Sequence, residues 1–519
     1  MSTSAAAAAP SRATRAATIL VNTLSSYLRD VVDILTFLVL TPFLIQVLGK
    51  ETFGLWSLIW SVVSLFALAD MGFGTSVVKY VADARGRGDT ERLTRVVSTM
   101  FWVYTGLGTV LMGLVGVGMV FLPQAFDIPP AQADAARMVL LLLGLRSALC
   151  MPLGLFRGVL NGFQRIRVAN LYKVLASILY FGGVLLILSR VRDIRMLAWI
   201  NLCMGVLPML AMMLHARATL PGVSISPRHF RLSLVRELSG FSLYFFLIQI
   251  SALIYTRVDS IVIQTSLGLE AVAVYTIAIR LSDKAGQFCN QLTRTLTPVV
   301  AELHGAGDRE RVISVWMRGA RYATAFALPL LLGLAVLARP LIEAWAGEGF
   351  EGAVLCCRLL VAATLVAVVH GNTNNLLSMV GQHRFLALAM LLSQAVNVLL
   401  SLVLVRFLGL AGVALATLLV QIPLSAGAVQ GRAGRLYDFP RRRFYGKVLG
   451  PSLLPALGML AFLAGLQALA PVSGLLGVAA AEALACALFW GLFWAVGLSP
   501  SERQTLGERL RRRLPGRRS

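Results

Sequence analysis

Runs of about twenty apolar residues recur from one end of this chain to the other, each long enough to cross a hydrocarbon core of roughly 30 Å. Lipid offers no hydrogen-bond partner to a backbone N–H or C=O, so only helices or closed barrels can span it. The runs are continuous rather than alternating, which predicts helices. Fourteen of them fall near residues 18–47, 55–78, 97–122, 136–156, 169–189, 196–215, 238–265, 271–300, 320–343, 353–379, 385–405, 410–430, 448–469 and 474–497. Composition agrees. Of 519 residues, 57% are hydrophobic and 14% charged, against about 25% charged in a soluble domain. The expected molecule is an all-α integral membrane protein.

A charged loop returns 219 residues later without a gap. Val81-Ala82-Asp83-Ala84-Arg85-Gly86-Arg87-Gly88-Asp89-Thr90-Glu91-Arg92 matches Val300-Ala301-Glu302-Leu303-His304-Gly305-Ala306-Gly307-Asp308-Arg309-Glu310-Arg311 at seven of twelve positions. Upstream, Leu48-Gly49 and Glu51 match Leu267-Gly268 and Glu270. Polar identity at a fixed offset does not follow from hydrophobic composition, so it marks an internal repeat. Spans one to six then form one lobe and spans seven to twelve the other. An even number of spans in each makes the lobes run in the same sense around a central cavity. The expected organisation is an N-terminal segment 1–17, an N-lobe 18–236, a C-lobe 237–432, two extra helices in 433–498 and a basic tail 499–519. The two extra helices are nearly uncharged, with Glu482 the exception.

The net charge of +23 does not point to nucleic acid, because no stacking aromatics accompany the basic loops. Lys and Arg collect instead in alternate loops, about 31 on the side of both termini and about six on the other. Cytoplasmic loops collect such residues, so both termini are expected in the cytoplasm. The cluster Arg190, Arg192 and Arg195 goes against this pattern. Outer loops are short, and the longest, around Pro123 to Asp134, holds no catalytic groups. In the tail, Ser501 is placed to cap a helix with Leu506, Leu510 and Leu514 on one face and Arg509 and Arg511 to Arg513 around them. That pattern suits a basic amphipathic helix on anionic lipid, and equally an unstructured basic tail.

An ionisable side chain at mid-bilayer costs about 2.5–3.5 kcal/mol on insertion scales, so each one marks a candidate site. Span eight is richest. Arg280, Asp283, Lys284, Gln287, Asn290, Gln291 and Arg294 recur every three or four residues and share one helix face. So long a stripe is expected to face a polar lumen. Its counterparts in span two are mostly apolar, with Ser61, Leu65 and Thr75 matching Arg280, Lys284 and Arg294. Arg29, Asp30 and Asp33 lie in span one, Asp70 in span two, Arg146 in span four, and Arg257 and Asp259 in span seven. Span ten ends with His370, Asn372, Asn374 and Asn375, where the histidine reads as a hydrogen-bonded packing residue. The cations Arg29, Arg146, Arg257, Arg280, Lys284 and Arg294 form the candidate substrate-binding set. Arg suits a phosphate or diphosphate because its fork gives two parallel charge-assisted bonds. Asp30, Asp33, Asp70, Asp259 and Asp283 are the candidates for ion coupling or ion pairing. Gln287, Asn290, Gln291, Asn372 and Asn375 are the candidates for polar lining.

No Walker loop, Rossmann fingerprint, zinc-protease pair or nucleophile elbow occurs. The six cysteines lack metal-ligand spacing and read as packing residues. No catalytic residue, metal or cofactor is expected, so transport would run on an ion gradient or equilibrate its substrate.

Leu48-Gly49-Lys50-Glu51-Thr52-Phe53-Gly54-Leu55-Trp56, followed by Ala69-Asp70-Met71-Gly72-Phe73-Gly74, resembles bacterial polysaccharide-biosynthesis flippases, which export lipid-linked O-antigen or exopolysaccharide units. Arg257-Val258-Asp259, Leu267-Gly268, Val274-Tyr275 and Ala278-Ile279-Arg280-Leu281 agree, so the resemblance covers residues 25–430. It implies the multidrug/oligosaccharidyl-lipid/polysaccharide exporter fold, with two six-helix lobes around a central cavity. It also implies a polyprenyl-diphosphate-linked oligosaccharide as substrate and the bacterial inner membrane as location. Membrane lipids, a polysaccharide polymerase and glycosyltransferases are the implied partners. The basic cavity expected to hold the diphosphate is assigned to Arg280, Lys284 and Arg294. Relatives compete: the peptidoglycan-precursor flippase, whose first-helix pair Arg29-Asp30 resembles, and multidrug exporters, which carry organic cations and fit an Arg-rich cavity poorly. A membrane glycosyltransferase or polysaccharide polymerase would share the location, but short outer loops and the duplication argue against it.

Overall fold

The computed structural model describes residues 12–70, 73–219, 225–294, 303 and 307–504. Those residues form helices and turns without a strand, and the chain divides into two compact units, Met1–Gln249 and Ile250–Ser519. The first seven helices are α1 (Arg12–Leu48), α2 (Lys50–Ser64), α3 (Phe73–Gly86), α4 (Thr90–Ala125), α5 (Pro130–Gly162), α6 (Ile166–Leu188) and α7 (Ile194–Thr219). Then come α8 (Leu232–Leu267), α9 (Leu269–Arg294), α10 (Arg309–Val336), α11 (Ala338–Ala346), α12 (Gly352–Val369), α13 (Gly371–Met379) and α14 (His383–Leu408). The last five are α15 (Leu410–Ile422), α16 (Gln430–Tyr437), α17 (Arg441–Val448), α18 (Gly450–Leu469) and α19 (Gly474–Leu492).

Within the described residues the expected spans fall largely on helix; parts of those near 55–78 and 271–300 lie outside the described residues. Among the described residues, twelve helices are long and apolar enough to cross a membrane. The other two expected spans are α8 and α9, of 36 and 26 residues. At 1.5 Å per residue α9 extends about 39 Å, enough to span, but it carries the polar stripe. Exposed apolar residues at helical spacing, such as Val110, Leu114, Val117 and Phe121 on α4, are the surface a lipid-facing helix presents.

Three local expectations need correction. Span ten is broken at His370 into α12 and α13. The outer loop expected over Pro123 to Asp134 shrinks to residues 126–129. Helix α4 continues through Pro123 to Ala125, and Pro130, whose fixed φ suits a first turn, opens α5. The cap of the terminal segment is Ser499 rather than Ser501, as described below.

The duplication is visible in the backbone. Gly49 (φ 82°) and Gly268 (φ 89°) join α1 to α2 and α8 to α9. Each donates its N–H four residues back, to Ile45 at 2.9 Å and to Gln264 at 3.1 Å. Gly88 (φ 68°) and Gly307 (φ 72°) repeat the arrangement before α4 and α10. Only glycine adopts this left-handed region at little cost. The next residues are N-caps: Asp89 accepts from Arg92 N at 2.8 Å and Asp308 from Arg311 N at 3.1 Å. Later the offset becomes 217: Arg165 N reaches Leu160 O at 2.8 Å and Gln382 N reaches Leu377 O at 2.9 Å. One difference stands out. After α2 the chain tightens into a 3-10 segment, Leu65–Asp70, whereas α9 runs without a break through the matching positions.

In the first unit, Val77, Val81, Val96, Met100, Phe156 and Met212 form a core joining α3, α4, α5 and α7. In the second, α10 supplies Trp316, which stacks on Phe444 and donates to Thr373 Oγ1 at 3.0 Å. Thr373 passes the bond to Gln430 at 3.1 Å. Helices α18 and α19 pack on α10. Beyond α19, Ser499 and Glu502 form a capping box. The Ser499 backbone N–H donates to Glu502 at 2.9 Å, its hydroxyl donates to the same carboxylate at 2.9 Å, and Glu502 N–H returns to that hydroxyl at 3.4 Å. Arg321 of α10 clasps this segment, reaching Glu502 at 3.0 and 3.2 Å and donating to the Gly497 carbonyl. The tail from residue 505 lies outside the described residues.

Two predictions follow from these contacts. Asp89→Ala and Asp308→Ala should each cost about 0.5–2 kcal/mol, read as similar drops in the melting temperature of purified protein. A drop at one site alone would mean that the two turns are not equivalent. Partial burial pushes the Glu502 carboxyl upward, but its bonds to Ser499 and Arg321 outweigh this and hold it below its ordinary 4.5. A depressed folded value stabilises above the unfolded one and is lost as pH falls through the folded one. Glu502→Gln should therefore melt below wild type at neutral pH, and the gap should close as pH drops below 4.5. A gap that does not change with pH would refute the clasp.

Candidate functional site

In the first unit, α1 packs along α6. Arg29 Nη1 donates to Asn170 Oδ1 at 3.4 Å, and Ser177 Oγ donates to Asp33 Oδ1 at 2.8 Å. The spacings, four residues on α1 and seven on α6, put each pair on one face. The Asp30 side chain lies outside the described residues. Arg146 of α5 lays its guanidinium over the Trp60 ring at 5.2 Å, and its Nε is buried without a hydrogen-bond partner. Gly205 of α7 makes the room, since a Cβ there would collide with the arginine. A desolvated cation–π contact is worth up to about 2 kcal/mol, which helps hold the charge in place.

Asp70 closes the 3-10 segment. It accepts from Tyr104 Oη at 2.6 Å and from Gly74 N at 3.3 Å. The Arg157 charge acts on the same tyrosine from a mostly exposed position.

In the second unit, α9 packs on α12, α10 and α13. Its first turns are buried all round, from Val272 to Ala278, and Cys289 is buried further along. Ser282 shares a 2.8 Å hydrogen bond with Thr364 of α12. Along the stripe, Arg280, Asp283, Lys284 and Asn290 are half-buried, each engaged by a neighbouring group, and Gln287 is exposed. The side chains of Arg257, Gln291 and Arg294 lie outside the described residues. Asp259 is only 2% exposed; Tyr275 Oη donates to it at 2.6 Å, and the Asp283 charge acts on it. On α13, Asn372 is buried with its Nδ2 unpartnered, and Asn375 is half-buried. His370 bonds the Val366 carbonyl at 2.8 Å and Tyr445 Oη at 3.0 Å, and stacks on Phe444, which makes it a packing residue. All six cysteines are free thiols, and no metal cluster occurs among the described residues.

The structure thus joins Arg29 and Asp33 to one helix, and Asp259 to the neighbourhood of Asp283. It gives Arg146 and Asp70 separate surroundings. Sequence reasoning missed Asn170, Ser177, Trp60, Tyr104 and Tyr275. Asn170, Lys173 and Ser177 at helical spacing on α6 were the available signal; Tyr275 stood in the Val274-Tyr275 motif with no role attached, and Tyr104 carried none.

The family model described as polysaccharide biosynthesis protein matches residues 17–304. The uncharacterized membrane protein EpsK of Bacillus subtilis (strain 168) is 20% identical over 419 residues, 79% of this chain and 82% of that protein. A probable low-salt glycan biosynthesis flippase, Agl15 of Haloferax volcanii, is 23% identical over 261 residues, 50% of this chain and 54% of that protein. Among solved structures, the Lipid II flippase MurJ in an inward closed conformation superposes with a TM-score of 0.69 at 15% identity, covering 92% of this chain and 99% of that one. An inward-facing multidrug resistance MATE family transporter of the MOP superfamily gives 0.67 at 18% identity, covering 78% and 96%. The chain belongs to the polysaccharide biosynthesis protein family, on the membrane-transporter fold of the multidrug/oligosaccharidyl-lipid/polysaccharide exporters.

Proposed function

We propose that this chain is a flippase that moves a polyprenyl-diphosphate-linked oligosaccharide from the cytoplasmic to the outer leaflet of the bacterial inner membrane, for O-antigen or exopolysaccharide assembly. The observation that carries this reading is α9. Val272 to Ala278 are buried in the unit, while Arg280, Asp283 and Lys284 sit half-buried further along the helix. Two cations against one acid leave a surplus of positive charge, which suits a diphosphate. Arg280, Lys284 and Arg294 take the head group, with Arg257, Arg29 and Arg146 as further cations. Gln287, Asn290, Gln291, Asn372 and Asn375 offer hydrogen bonds to sugars. Transport proceeds by alternating access, with both termini cytoplasmic and no catalytic residue, cofactor or metal. Glycosyltransferases that build the lipid-linked unit act before it, and a polymerase acts on the flipped unit after it.

A flippase for a peptidoglycan lipid precursor is the second reading. It keeps the same fold and diphosphate chemistry and differs in the sugar. A multidrug exporter shares the fold as well, but a cationic surplus does not favour organic cations.

Depletion should make the lipid-linked oligosaccharide accumulate. Accumulation of the peptidoglycan precursor instead would select the second reading, and unchanged pools with unchanged surface glycosylation would refute a flippase. Each charge-assisted bond is worth about 1.5–3 kcal/mol, so Arg280→Ala with Lys284→Ala should weaken diphosphate binding on the order of 100-fold or more and stop export without loss of the protein from the membrane. Normal export by that variant would overturn the site assignment.

Asp33, Asp70 and Asp259 each have a defined donor, and Asp70 sits at the helix break, which makes it the first choice for ion coupling. Tyr104→Phe should shift the pH or sodium dependence of export, and Asp70→Asn should abolish it. Profiles identical to wild type in both variants would remove Asp70 from the mechanism.

A further inference from the structure

We propose that the second unit carries a binding groove for the headgroup of an anionic phospholipid, between α10, α17 and the segment that follows α19. This is independent of the transport reading. The groove encloses about 1380 Å³. Its lining includes Arg318 of α10 and Arg443 and Lys447 of α17, all exposed. Among the described residues, none of the three has a carboxylate within ion-pair distance; Arg443 lies over the Phe439 ring at 5.3 Å. The neighbouring acids are largely committed. Glu502 is held by Arg321 and Asp438 by Arg309 at 2.9 Å, which leaves Glu310 on the lining. The groove therefore keeps an excess of positive charge.

Apolar side chains share the lining, Ile313, Met317, Pro451, Val496 and Leu498, alongside the hydroxyls of Ser314, Ser499 and Ser501. The position explains the mixture. The groove lies where three spans end, at the first turns of α10, the start of α18 and the close of the α19 span at Gly497. A headgroup phosphate would meet the cations while glycerol and the first acyl carbons meet the apolar side chains. Inorganic phosphate would use only the cationic side, so an amphiphile fits this lining better.

The test uses the full-length protein, purified in a zwitterionic detergent, delipidated and titrated with phosphatidylglycerol, with bound lipid counted by native mass spectrometry. Phosphatidylcholine of the same chains and inorganic phosphate are the comparators. Phosphatidylglycerol should be retained about tenfold or more over phosphatidylcholine, the size expected of three basic residues near an anionic headgroup. Inorganic phosphate should compete poorly. Arg318→Gln, Arg443→Gln and Lys447→Gln together should abolish the preference, and Arg406→Gln, on another helix, should leave it intact. Equal retention of both lipids, displacement by phosphate at matching concentration, or an unchanged preference in the triple variant would overturn the proposal. Should the triple variant fail to fold, the wild-type competition decides alone. The charge-keeping pair Arg318→Lys and Arg443→Lys should bind as wild type, and its loss of binding would also count against the groove.

Discussion

Hydrocarbon cannot hydrogen-bond, and the whole structure answers to that fact. An unbroken helix satisfies its own backbone, so most of the chain is long helix. Where a helix does break, a side chain or a displaced carbonyl takes over. After the 3-10 segment, Asp70 receives the Gly74 N–H. At the break between α12 and α13, the His370 carbonyl receives Thr373 and Asn374 N–H groups at 2.9 and 3.0 Å. The imidazole meanwhile binds back to Val366 and across to Tyr445. The same rule governs the charges. Arg29 and Asp33 find amide and hydroxyl partners on α6, Asp259 finds a phenol, and Arg146 finds an indole face.

Most of the architecture could be read from the sequence because its signals are local and periodic. Apolar run length gave the helices, and the repeated loop gave the duplication, down to matching capped turns. The breaks were harder. His370 opens the polar stretch His370-Gly371-Asn372-Thr373-Asn374-Asn375, but polarity there reads as the end of a span and does not say that a second helix starts at Gly371. Pro123 suggested a loop, but helix α4 runs through it. The terminal cap was legible in Ser499-Pro500-Ser501-Glu502, a capping-box pattern with proline at the first helical position.

The candidate site was legible only in part. Charges in apolar runs are conspicuous, so Arg29, Arg146, Asp70 and the α9 stripe could be found one by one. Their partners could not, because pairing depends on which helix faces which. Asn170 and Ser177 are ordinary residues until α6 is laid against α1, and Tyr104 is one aromatic among many until it meets Asp70. Duplication sharpens the contrast between the halves. Shared glycine joints and aspartate caps preserve the turns while the helices between them have diverged, apolar and broken in one unit, charged and continuous in the other.

That divergence puts two different kinds of helix at matching positions, 3-10 over Leu65–Asp70 and α over the corresponding part of α9. A continuous helix such as α9 behaves as a rod, so a twist or thrust at Arg280 arrives at the Gly268 joint little diminished. In the other unit, the 3-10 stretch before Phe73 is a compliant coupling in the same line of force, the kind of mid-helix element associated with hinges. A cycle driven through both would be mechanically lopsided even though their connecting turns are nearly identical.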